Sequence, residues 1–177
     1  MRLDQLTSIA VWNLNRGNIN YNKVDFDLEA RMLSEERVEY YTAYDAYLDS
    51  NIEDMTEEFF DIITEMVDAI ADYQFVYGGT VAKISRAHNT MPDNRQIATL
   101  TSIAQNDLNI MIQILVDLVA PYGVLNLDEC LDMVIEANEA KGTEKIDGKI
   151  QKGPDWVDPK VTIKNYIKDT LKIPTQG

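Results

Sequence analysis

Between residues 24 and 77 the chain carries neither glycine nor proline. A stretch that long without either breaker leaves room for two long helices. The first is predicted from about Asp25 to Leu48, with Asp25 or Asp27 as its N-cap. The second is predicted from about Glu53 to Ala82, and the short Ser50-Asn51 break between them makes the two antiparallel neighbours. A third helix, Asn94 to Ala120, places Ile97, Leu100, Ala104, Leu108, Met111, Ile112, Leu115 and Val119 at helical spacing, and Pro121-Tyr122-Gly123 ends it. A fourth runs from near Asn126 to about Lys141, with Gly142 as its stop, and an N-terminal helix is expected over Leu3 to Leu14. Beyond Gly142, Ile146-Asp-Gly-Lys-Ile150 carries the Asp-Gly signature of a tight hairpin. The expectation is one all-α domain over residues 1–177, an antiparallel bundle of four to five helices with a small C-terminal hairpin and loop appendix.

With 45% hydrophobic residues in 177, the chain has the material for a real core. Its charge narrows the function. Thirty acidic residues against sixteen basic ones give a net charge of −14. That balance argues against a nucleic-acid polymer as partner, which needs a basic stripe to displace counterions, and against an anionic membrane. One cysteine, Cys130, excludes an internal disulfide framework, and one histidine, His88, excludes imidazole-based zinc chemistry. No apolar run approaches a membrane span and no small-residue cleavage site marks the N-terminus, so a soluble, cytoplasmic protein is expected. Chemistry here has to be built from carboxylates, amides and lysines.

Two acidic faces stand out. On the first helix Glu35, Glu36 and Glu39 fall within an arc of about 100°, which Leu28, Met32 and Ala43 share. These glutamates interrupt an apolar stripe, and burying carboxylates without partners costs several kcal/mol each. The second helix carries Glu58, Asp61, Glu65, Asp68 and Asp72 at spacings of three or four, with no Lys, Arg or His between Ile52 and Ala82. Like charges so placed repel, so the row reads as a site awaiting a cation. Antiparallel packing would set Glu36 and Glu39 against Glu65 and Asp68, a hard-oxygen set suited to Mg²⁺ or Mn²⁺. The plain alternative is two solvated acidic faces.

The E-E-x-x-E of Glu35, Glu36 and Glu39, followed by E-x-x-D at Glu65 and Asp68, resembles the MazG-like all-α NTP pyrophosphohydrolases, a superfamily that includes dimeric dUTPases and phosphoribosyl-ATP pyrophosphohydrolase. Asp68-Ala-Ile-Ala-Asp72 running on to Val76-Tyr-Gly-Gly-Thr80 is similar to a segment of phage and bacterial members. Val134 to Lys141, then Asp147-Gly-Lys149 and Lys152-Gly-Pro-Asp-Trp156, is similar to their C-terminal substrate segment. The likeness covers about residues 28–80 and 124–160; residues 84–122 look like an insertion or extension. The resemblance implies a homodimer or dimer of dimers. It implies hydrolysis of a nucleoside triphosphate between the α and β phosphates to a monophosphate and pyrophosphate, serving dNTP pool control or house-cleaning. Glu36, Glu39, Glu65 and Asp68 would hold Mg²⁺, with Mn²⁺ as substitute, and Glu35 would orient or deprotonate the attacking water. The second motif also offers the register Asp68/Asp72.

Lys141, Lys145, Lys149 and Lys152 place four of the sixteen cations in twelve residues, either a phosphate-facing flap or a solubilising loop. Asn138 falls on the apolar face of its helix and needs a partner, either a base or sugar edge or neighbouring backbone. Trp156 either stacks on a base or anchors its loop, and the latter is the commoner use. Tyr40, Tyr41, Tyr44 and Tyr47 spiral around the first helix and read as packing residues. A non-catalytic acidic helical protein that binds divalent ions or a basic partner would share the carboxylates, yet would need neither Glu35 nor the lysines.

Overall fold

A computed structural model describes residues 1–49, 53–87, 93–146 and 149–173. Its two longest central elements are α2 (Phe26–Asp49) and α3 (Glu57–Arg86), flanked by α1 (Leu3–Asn15), α4 (Asn94–Val119), α5 (Leu127–Glu139) and α6 (Lys160–Thr170). Asp25, a cap the sequence predicts, accepts at Oδ1 from the Leu28 amide; Thr56, Asp93 and Asn126, not singled out as caps from sequence, accept from the first turns of α3, α4 and α5, and α3 begins at Glu57 where about Glu53 was expected. The all-α reading holds. Strands β1 (Lys145–Ile146) and β2 (Lys149–Ile150) pair antiparallel as the Asp-Gly signature predicts, with Ile146 opposite Lys149. The turn itself, the Ser50-Asn51 link and His88 lie outside the described residues.

The centre of the bundle is α3, which touches each of the other five helices. Phe59, Ile63, Met66, Val67 and Ile70 are fully buried, so apolar side chains leave it in nearly every direction, as a helix surrounded by helices requires. Helix α2 runs antiparallel to it: Glu29 at one end meets Thr80 and Lys83, and Tyr47 at the other packs edge-on to Phe59. The Gly78-Gly79 pair lies inside α3, where α1 crosses. A Cβ on Gly79 would stand 2.9 Å from Asn13 Nδ2, so the Asn13 side chain would have to shift to admit one.

Helix α4, the helix predicted over Asn94 to Ala120, packs into the core. Leu100, Ala104, Met111, Leu115 and Val119 are buried, and the Tyr40 hydroxyl donates to Met111 O at 2.7 Å. The tyrosines of α2 serve packing there. The appendix expected after Gly142 contains more than a hairpin and loop: α6 is a further helix, packed antiparallel on α3 through buried Ile163, Ile167 and Leu171. Five apolar residues scattered through a lysine-rich stretch, only those at 163, 167 and 171 buried, make too faint a periodicity to be read alone. No helix among the described residues is long and apolar enough to cross a membrane.

Candidate functional site

Where α2, α3 and α5 meet the segment leading into α6, they enclose a cavity of about 250 Å³. Glu36 and Glu39 reach it from α2, Asp68 and Asp72 from α3, and Asn138 from α5. Lys141, Lys152, Trp156, Asp158 and Lys160 complete the wall. Four of the five expected metal ligands thus border one space, in the Asp68/Asp72 register. Glu65 is not among the lining residues; it stands on the rim, half-exposed, with its carboxylate 2.7 Å from Lys160 Nζ. Glu35 is on the wall of the neighbouring chamber, one residue from Glu36.

The charge in this cavity is strained. Asp68 is buried, its Oδ2 lies 3.6 Å from Lys160 Nζ, and its Oδ1 is buried with no hydrogen-bond partner. Burial and then the neighbouring Asp72 push the Asp68 carboxyl up to about 8, with Lys160 opposing them. Burial likewise raises Asp72 to about 6, against the pull of Lys141. Lys141 is itself held below the usual lysine range by burial, offset in part by Asp72. Lys152 sits over the Trp156 ring at 3.8 Å from its centroid, and the Trp156 indole N–H is buried without a partner. Asn138 Nδ2 donates to Val134 O at 2.9 Å, so backbone takes up one of its donors. The Lys149 side chain lies outside the described residues, and Lys145 donates to Gly17 O at 3.1 Å.

The row of acids on α3 does have counter-charges, contrary to the expectation from sequence. Lys160, Lys164 and Lys168, four residues apart on α6, run antiparallel to it: Lys160 on Glu65, Lys164 on Asp61 and Glu57, Lys168 on Glu57. The cations come from far along the chain, which a survey of α3 alone cannot see. Glu58 is exposed and takes no part in that row.

A larger chamber of about 460 Å³ adjoins the carboxylate cavity, and Glu36, Asp72, Asn138 and Lys141 belong to both walls. Trp12, Phe75, Leu28 and Met32 give it an apolar surface, while Asn13, Asn18 and Asn20 add amides. Glu29 and Lys83, a buried ion pair at 2.6 Å, form part of the wall, and Thr80 donates to the same Glu29. No family model, curated protein or solved structure matches this chain.

The resemblance to MazG-like enzymes therefore rests on the sequence motifs alone. The donor set suits a hard divalent cation: carboxylate oxygens only, one of them buried and orphaned. Convergence is what it lacks. Among the described residues no three His, Cys, Asp or Glu side chains stand in ligating geometry. An ion would have to draw them together against the ammonium groups now among them.

Sequence reasoning missed Asp158 and Lys160 in the cavity and Trp12, Asn13, Glu29 and Lys83 in the chamber. One signal was available: lysines at 160, 164 and 168 match the spacing of Glu57, Asp61 and Glu65.

Proposed function

We propose that the protein is a divalent-metal-dependent nucleotide pyrophosphohydrolase. The observation that carries this reading is the junction of the two spaces: an acidic cavity with an orphaned buried carboxylate oxygen opens beside an amide-lined apolar chamber, across Asn138 and Lys141. That layout divides a nucleoside triphosphate naturally, phosphates toward the carboxylates and nucleoside in the chamber. The chamber falls within the usual size of small-molecule sites, about 300–1,000 Å³.

Bound Mg²⁺ or Mn²⁺ offsets the charge of the triphosphate and lowers the barrier to attack by water. Glu36, Glu39, Asp68 and Asp72 are the residues that would hold it. Lys141 and Lys152 supply ammonium groups to the phosphates. Glu35, on the chamber wall next to the cavity, is placed to take a proton from water. Hydrolysis between the α and β phosphates then yields a nucleoside monophosphate and pyrophosphate. The resemblance adds a homodimer or dimer of dimers as the active form.

The rival, a non-catalytic acidic helical protein, draws on the lysines of α6, which satisfy much of the acid row on α3 with no metal. A panel of NTPs and dNTPs with Mg²⁺, scored for pyrophosphate and monophosphate, separates the two. Pyrophosphate is expected from one or a few substrates and is expected to vanish in Glu39→Gln, whose fold should be unharmed. Equal turnover in Glu39→Gln, or silence across the panel with both metals, sinks the proposal.

A further inference from the structure

The chamber beside the carboxylate cavity carries a buried charge at its far end. Glu36 and Asp72 belong to both walls and mark the junction. Glu29 lies seven residues before Glu36 on α2, and Lys83 eleven residues after Asp72 on α3. Because the two helices run antiparallel, both displacements point the same way. At about 1.5 Å per residue they put the Glu29–Lys83 pair about 10–16 Å beyond the junction. With phosphates at the carboxylates, the far end is where a nucleobase would lie.

The two partners of this pair are not equivalent. The Glu29 side chain is 2% exposed and both its oxygens are engaged: Oε1 accepts from Lys83 Nζ at 2.6 Å, and Oε2 from the Thr80 hydroxyl at 2.6 Å. Thr80 is itself fully buried. Lys83 is 14% exposed and lines the chamber, and its ammonium has three N–H donors, of which Glu29 takes one. The acceptors are thus spent inside the protein, while the ammonium keeps donors and accessible surface on the wall. Asn13, a buried amide of the same wall, is also spent: it donates to Ile9 O at 2.9 Å and accepts from Asn18 at 3.2 Å.

A group that only donates selects among nucleobases. The oxo groups of guanine, hypoxanthine, uracil and thymine accept hydrogen bonds at the position where the amino groups of adenine and cytosine donate them. Against an amino group the ammonium meets a second donor, and Glu29 cannot serve it without leaving Lys83 or Thr80. A largely buried donor left unpaired in this way is costly, and the cost falls on the amino base alone.

We infer that Lys83 is a specificity-determining residue of the chamber, and that the site takes nucleotides of 6-oxopurines and 4-oxopyrimidines in preference to their 6-amino and 4-amino counterparts. This rests on the reading above, which places the nucleoside in the chamber. Glu29 is a positioning residue: it fixes the ammonium on the wall, and Thr80 fixes Glu29.

The test compares nucleotides that differ only in the oxo or amino group and the ring proton that goes with it. Dissociation constants of dIMP against dAMP, and of dUMP against dCMP, are measured by ligand-detected NMR on the full chain in EDTA. The wild type should bind each oxo nucleotide at least about tenfold tighter than its amino partner. In Glu29→Gln/Lys83→Met, which removes the ammonium without stranding the carboxylate, each ratio should fall to within about twofold. Should that variant fail to fold, Glu29→Gln/Lys83→Gln carries the same expectation, because an amide both donates and accepts. An amino nucleotide bound as well as its oxo partner by wild type, or ratios unchanged in the folded double variant, overturns the assignment of Lys83. Absence of binding by all four monophosphates, with triphosphates still turned over, overturns it as well. The expected oxo preference with no triphosphate hydrolysed supports Lys83 as the selecting residue and overturns the pyrophosphohydrolase reading alone.

Discussion

Asp68→Asn should make the metal-free protein markedly more stable near pH 7 and barely change it near pH 4. The wild-type carboxyl is held at about 8 in the folded state by burial and by Asp72, against 3.8 for the free group. Between those values the folded protein keeps a proton that the unfolded chain has released. The contribution of this group to stability is thus complete below about pH 4 and is lost as pH rises toward 8. At about 1.4 kcal/mol per unit, the three units up to pH 7 give an upper bound of about 4 kcal/mol. Asp72 titrates against the same field and shares the effect, so the single variant should gain about 2–4 kcal/mol. The amide also gives up a contact to Lys160, but at 3.6 Å that contact is weak and Glu65 retains the lysine. Urea denaturation in EDTA at the two pH values measures the gap directly. Millimolar Mg²⁺ should then raise wild type near pH 7 more than the variant, because ligation needs the ionised carboxylate. An equal shift at both pH values, or a less stable variant near pH 7, would refute the claim that Asp68 is buried with its charge uncompensated.

Further outcomes follow from the packing around the chamber. Lys83→Met strands the buried Glu29 carboxylate and should cost about 3–5 kcal/mol in denaturant titration, most of it recovered when Glu29→Gln is added. If the pair were merely superficial, the single variant would fall below 1 kcal/mol or so. Tyr40→Phe removes the hydroxyl donated to Met111 O and should cost about 1 kcal/mol, read as a lower urea midpoint with an unchanged slope.

The long helices were legible in the sequence because their determinants are local. The Gly- and Pro-free stretch, the cap at Asp25 and the hairpin at Ile146 to Ile150 each act within a few residues of themselves. The acidic face of α2 was legible too, since Glu35, Glu36 and Glu39 share an arc whatever surrounds them. Which carboxylates border one cavity was a different question. Its answer depended on α5, on the Trp156 loop and on α6, elements that come together only when the core closes on α3. The sequence showed five acids on α3 without a local counter-charge; the tertiary structure brought Lys160, Lys164 and Lys168 to the row from about a hundred residues away. It left Asp68 Oδ1 buried and unpaired, and it set the apolar chamber beside the acidic cavity by laying α1 across Gly78 and Gly79. Helix and turn signals are short-range and survive reading one segment at a time. Charge compensation and cavity formation are long-range and exist only between segments.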